Sequence, residues 1–115
     1  MPVNETQITS IKNIMDPYIE KIRPPEKIRP ELDIAYKIEG QSVLVLEIRP
    51  QWNDPTIFNE HSLAKATFVK TKNNWKIFWK KSDGKWHSYS PKMEVKTLIQ
   101  FIKLIEEDDH HCFWG

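Results

Sequence analysis

The stretch Trp75-Lys76-Ile77-Phe78-Trp79-Lys80-Lys81-Ser82-Asp83-Gly84-Lys85-Trp86-His87-Ser88-Tyr89 decides how this chain is read. Two short segments rich in rings and lysines flank Asp83-Gly84, a pair that suits a two-residue hairpin turn because glycine tolerates the positive φ a primed turn requires. Such a turn sets Trp79 opposite Ser88, Lys80 opposite His87 and Lys81 opposite Trp86. Trp75, Ile77, Trp79 and Trp86 then share one face, and Lys76, Phe78, Lys80, Lys85, His87 and Tyr89 share the other. The first face reads as core, the second as a basic surface studded with rings.

Upstream, Leu63 to Lys72 reads as a further strand, joined to the hairpin by Asn73-Asn74, a turn that tolerates positive φ. That turn places Phe68 opposite Trp79 and Val69 opposite Phe78, so Lys65, Thr67 and Thr71 join the basic face. Before it, residues 50–62 form a polar stretch with two prolines, long enough as a loop to suggest a binding role for Trp52 and Phe58. Ser42-Val43-Leu44-Val45-Leu46-Glu47-Ile48 is apolar on both faces, the mark of a central strand. Leu32, Ile34, Tyr36 and Ile38 alternate with polar residues ahead of a turn at Gly40-Gln41. The outcome is a five-stranded antiparallel meander over 32–90.

Helical spacing governs the two ends. Ile8, Ile11, Ile14, Met15, Tyr18, Ile19 and Ile22 repeat with helical period over 1–23, with Asn4 or Thr6 as N-cap. Pro17 either kinks that helix or opens a second one capped by Asp16. Val95, Leu98, Ile99, Ile102 and Ile105 define an amphipathic helix over 93–107, packed on the Trp79/Trp86 face. Residues 108–115 form a tail whose Phe113 and Trp114 are expected to dock back on the sheet. The fold class is α+β in a single domain, 1–115.

The 115 residues can bury a real core, and 39% apolar with 29% charged residues describes an ordinary globular chain. No apolar run reaches the ~20 residues of a membrane-spanning helix. The first residues lack the basic-then-apolar order of a signal peptide, and Cys112 is the lone cysteine, so a cytoplasmic location is expected. Net charge is +1 but unevenly distributed. Residues 61–96 hold nine basic and two acidic side chains, whereas 1–60 hold seven and ten, and 97–115 one and four. A basic block therefore sits between two acidic ones, either balancing them internally or attracting an acidic partner.

Four motifs together carry a family resemblance: Arg49-Pro50-Gln51-Trp52-Asn53-Asp54-Pro55, Trp75-x-Ile77-Phe78-Trp79, Lys85-Trp86-His87-x-Tyr89-x-Pro91 and Cys112-Phe113-Trp114-Gly115. From about Arg23 to Gly115 the chain resembles a family of small bacterial proteins catalogued as a domain of unknown function (number 3024). Members tend to carry Arg at the place of Lys81 and a larger residue at the place of Gly84, so a two-residue turn would not be a family-wide feature. The resemblance implies a cytoplasmic bacterial protein and supplies no catalytic residues.

Candidate chemistry is sparse. His110, His111 and Cys112, with Asp108 and Asp109, offer metal-ligand atoms, to which His61 and His87 could add if the tail folds over the sheet. Adjacent residues chelate one ion poorly from a rigid element, and a polar tail with incidental ligand types is the plainer reading. Cys112 as a nucleophile would need a positioned base. The isolated glycines at 40, 84 and 115 exclude a glycine-rich phosphate loop. No catalytic residue, cofactor or membrane association is expected.

The binding candidates are Lys65, Lys76, Phe78, Lys80, Lys85, His87, Tyr89 and Trp52. Cations for phosphate and rings for stacking suit single-stranded nucleic acid. Phe78 opposite Tyr89 is also the kind of pair that simply stabilises a hairpin. A pI near 7.8 is low for a dedicated nucleic-acid binder. A non-catalytic binding module with a protein partner is therefore the first expectation and single-stranded nucleic acid the alternative. A metal-binding protein or metal-dependent enzyme using the tail is the second alternative.

Overall fold

The computed structural model describes residues 4–81, 83–108 and 113. Helix α1 (Glu5–Ile22) starts at Asn4, whose side chain accepts the Gln7 amide at 2.8 Å while the Gln7 side chain accepts the Asn4 amide at 3.1 Å. This reciprocal pair satisfies two of the donors a helix start leaves open. One helix runs through Pro17. Pro17 and Asn13, four residues before it, are both exposed, so water can take up the carbonyl that proline leaves without a donor.

Six strands follow: β1 (Asp33–Glu39), β2 (Ser42–Gln51), β3 (Asp54–Val69), β4 (Asn74–Lys80), β5 (Trp86–Ser88) and β6 (Glu94–Val95), then α2 (Leu98–Glu107). β1 to β5 form the expected antiparallel meander in chain order, and β6 adds a short antiparallel pairing to the start of β4. Gly40 takes positive φ as the first residue of the two-residue β1–β2 turn, and Asn73 takes it at the end of the β3–β4 turn.

Ile34, Val43, Val45, Ala64, Ala66, Trp75 and Ile77 face the helices. They enclose a core with Ile11, Met15, Tyr18 and Ile19 of α1 and Leu98, Phe101, Ile102 and Ile105 of α2. Both helices thus cover one sheet face, and among the described residues no helix covers the other, the open face. Ala64 and Ala66, both fully buried, keep the sheet centre shallow where α2 packs against β3, β4 and β6.

Several expectations are corrected. The hairpin loop holds three residues, not two. Lys81 and Lys85 bracket it, with the Lys81 amide donating to the Lys85 carbonyl at 3.2 Å and the Gly84 amide to the Lys81 carbonyl at 2.9 Å. Gly84, at φ 78°, fills the left-handed position of a bulged three-residue loop. The register becomes Phe78 opposite Ser88, Trp79 opposite His87 and Lys80 opposite Trp86. A one-residue slip exchanges faces, so Trp86 joins the basic side and His87 leaves it. Phe68 lies opposite Trp75 rather than Trp79, and Lys65 opposite Phe78, a shift of four that preserves the faces.

The polar loop of residues 50–62 is largely strand. β2 runs on through Pro50, beyond the last β1 pairing at Ile48, where an open edge tolerates proline. The second helix begins at Leu98 rather than 93, capped by Thr97 and Gln100, because residues 94–95 are drawn into β6. Ile99, assigned to its apolar stripe, is exposed.

An ion pair ties α1 to β1. Arg23 Nε and Nη2 donate to the two carboxylate oxygens of Asp33 at 2.9 and 2.8 Å, and Asp33 also accepts the Ile34 amide. The Arg23 hydrogen bonds hold the Asp33 carboxyl below the usual carboxylate range. A depressed folded-state value stabilises the protein above the unfolded carboxylate pKa, about 4, and the contribution is lost as pH falls through the folded value. Asp33→Asn should therefore lower the urea midpoint at pH 7, with the gap to wild type closing in acid once the pH has fallen through the folded value. Urea titrations at neutral and acid pH check this; a pH-independent gap would show that lost packing or geometry, not charge, is responsible.

Candidate functional site

The open face is built in rows across the strands. Lys37, Leu44, Lys65, Phe78 and Ser88 stand side by side in register, and beside them run Glu39, Ser42, Thr67, Lys76 and Glu94. Lys80 with Trp86 completes the basic end. Leu44 and Leu46 are buried although no helix covers them, which explains why β2 is apolar on both faces.

Around Lys65 the side chains interlock. Its ammonium lies 4.8 Å from the Phe78 ring centre and 4.7 Å from that of Trp86, and Lys80 Nζ lies 5.4 Å from the same indole. Rings at this distance attract a cation through their quadrupole. Burial lowers the pKa of Lys65, with the neighbouring Lys80 charge acting in the same direction and Glu39 against it. Lys65 is thus a partly desolvated cation held by rings.

Of the candidates read from sequence, the structure gathers Lys65, Lys76, Phe78 and Lys80 on this face and adds Trp86, which the two-residue turn had assigned to the core. Three others are placed elsewhere. Lys85 pairs with Lys81, on the side of Trp79. His87 sits opposite Trp79 and meets the Asp83 carboxylate at 3.0 Å. Tyr89 is 2% exposed, a core residue in ring contact with Phe113 at 4.8 Å. The intended Phe78–Tyr89 pair does not form, since Ser88 occupies that position. His110, His111 and Cys112 lie outside the described residues. Among those described, no three His, Cys, Asp or Glu side chains group as metal ligands.

A second feature was hidden in the presumed loop. Past a bulge between Val45 and Leu46, where Leu63 is the extra residue on β3, β2 and β3 run on together, and beyond the last β1 pairing at Ile48 they form a two-stranded arm. Trp52 stands at its tip, 93% exposed, with Ile57 and Phe58 at 45% and 52%. The last β3–β4 pair is Ala64 with Trp79, so among the described residues 54–63 have a neighbour on one side only. A long free edge with exposed apolar side chains is a template for strand pairing. The sequence signal for it lay in Thr56-Ile57-Phe58, a β-favouring run, obscured by Pro50 and Pro55.

A hollow of about 440 Å³ between α1, β1 and β2 is walled by Tyr18, Ile22, Leu32 and Ile34, with Glu47 and Glu106 at its rim. Burial pushes the Tyr18 hydroxyl up to about 12, so it stays protonated and offers no base at neutral pH. No helix among the described residues is long and apolar enough to cross a membrane.

A sheet covered by helices on one side, with lysines and rings on the other and an arm projecting beyond it, defines a small α+β domain with two exposed surfaces. The chain belongs to the family described as a domain of unknown function, DUF3024, whose family model matches residues 3–115 and so includes α1 as well as the stretch from Arg23. No curated protein and no solved structure matches it.

Proposed function

We propose that this protein is a small, non-catalytic binding module of the bacterial cytoplasm, which takes an extended segment of a partner protein as an added strand on the free edge of its arm. The exposure of Trp52, Ile57 and Phe58 around an unpaired strand edge carries this reading. Main-chain hydrogen bonds along such an edge give affinity, and the apolar side chains beside it give specificity. Residues 56–62 extend over about 23 Å at ~3.3 Å per residue, room for a partner strand of ordinary length. The family resemblance and the lone Cys112 support the bacterial and cytoplasmic setting.

The test starts from a photo-crosslinking amino acid placed at Phe58 and, as control, at Ile99 on α2. The protein captured through position 58 alone is then purified and titrated against the unmodified module while amide exchange is followed. Slowed exchange of amides within 56–62, with affinity lowered at least tenfold by Phe58→Lys, is the expected result. Unchanged exchange in that segment would overturn strand addition. So would self-association as the only complex found, because the occupant would then be a second copy of the chain.

A further inference from the structure

The acidic groups of the open face are already engaged. Glu39 and Glu60 meet Lys37 at 3.2 and 3.3 Å, while Glu94 meets Lys72 at 3.1 Å and the Asn74 amide at 3.0 Å. Lys65, Lys76 and Lys80 stand apart from these pairs, and among the described residues none of the three has a carboxylate within 4 Å. Lys65 and Lys80 lean instead on the rings of Phe78 and Trp86. A ring quadrupole compensates a cation more weakly than an anion does, so both lysines stand to gain from a phosphate.

We propose that this open face, centred on Lys65, Lys76, Lys80, Phe78 and Trp86, is a binding surface for single-stranded nucleic acid. It is separate from the arm and independent of the partner proposed for it. Three cations with no carboxylate within 4 Å among the described residues, although Glu39 acts on Lys65 and Glu94 on Lys76 from further off, give the charge complementarity, and phosphates drawing Lys65 and Lys80 outward uncover two rings on which bases can stack. Side chains on one face of a strand recur about every 6.8 Å, so Lys76, Phe78 and Lys80 along β4 alternate cation, ring, cation. The lowered pKa of Lys65, caused first by burial, agrees with a cation partly stripped of water. Duplex DNA keeps its bases stacked within the helix and cannot use the rings, so the single-stranded form is the one that fits. An acidic peptide would find the cations but leave the rings without a role.

The test is fluorescence anisotropy of labelled 12-nucleotide DNA and RNA with the full chain at 50 and 200 mM salt. Neutralising three phosphates of a single strand predicts a slope near −2 in log affinity against log salt, about an 18-fold loss over that range. Lys65→Ser/Lys76→Ser/Lys80→Ser should abolish measurable binding, and Trp86→Leu should weaken it about tenfold. Lys12→Ser/Lys21→Ser/Lys103→Ser, which removes charge from the two helices, should stay within twofold of wild type. Circular dichroism melts confirm that each variant is folded, and Lys80→Ser alone, with a smaller salt slope, serves if the triple variant is not. No anisotropy change at 50 mM salt would overturn the proposal. So would equal affinity for duplex DNA, displacement of the oligonucleotide by polyglutamate at matched charge, or an equal loss in the control triple.

Discussion

Phe101→Ala is expected to lower the unfolding free energy by about 3–5 kcal/mol, the largest loss of any single side chain in this molecule. Phe101 is the largest of the fully buried side chains and sits on α2 where that helix meets the sheet. Removing its ring takes away the transfer free energy of a phenyl group and leaves a cavity. The fully buried neighbours Met15, Ile77 and Ile105 can close that cavity only in part, being held by helices and strands on every side. At roughly 4 °C per kcal/mol for a domain of this size, the melting temperature should fall by about 12–20 °C. Phe101→Leu, which retains most of the volume, should cost well under half as much. Urea and thermal unfolding of the three proteins check the order; an alanine variant losing under about 1 kcal/mol would place Phe101 outside the cooperative core.

The second large effect concerns the residues that follow α2. Asp108 caps α2 in the left-handed conformation, φ 38°, and its side chain accepts the Phe113 amide at 3.1 Å. Phe113 is 3% exposed and tilts against the Tyr89 ring. The tail expectation holds for Phe113, while Trp114 lies outside the described residues. Phe113→Ala should cost about 3 kcal/mol, because it exposes Tyr89 as well as removing its own ring. Trp52→Ala, of a larger ring that is 93% exposed, should change stability by less than about 0.5 kcal/mol. Chemical denaturation of the pair separates a structural aromatic from a contact aromatic, and equal losses would contradict the burial of the one and the exposure of the other. Glu106 lies 3.8 Å from Lys21 of α1, an exposed pair of small value.

The fold was largely legible because burial writes itself into periodicity. Ile11, Met15, Tyr18 and Ile19 repeat at helical spacing, and the two-sided apolarity of Val43 to Leu46 marks an inner strand, because both pairs of alternating side chains are buried. What was not legible follows from the same rule. The arm between Gln51 and Ser62 buries little, so its strands carry no alternation and their two prolines look like loop signals. The hairpin faces turned on one residue. Asp83-Gly84 fits a two-residue turn as well as the bulged three-residue loop, and only pairing across the strands decides between them. Half of the lysine–ring face survived that slip, since Lys65, Lys76, Phe78 and Lys80 lie on strands whose parity does not depend on the loop. Residues 94–95 offered too short a run to announce a strand.

The bulge at Leu63 has a consequence for descent as well as for shape. On one side of it, residues 64–67 of β3 are clasped between two strands and under a helix, and a change there is judged first by whether the chain still folds. On the other side, residues 54–62 pair among the described residues with β2 alone, and folding is nearly blind to them. One continuous strand is therefore exposed to two kinds of selection. Its inner half should drift only as far as the core allows, and its outer half should keep pace with whatever it grips, so that lineages with different partners diverge at Trp52, Ile57 and Phe58 while sharing Ala64 and Ala66.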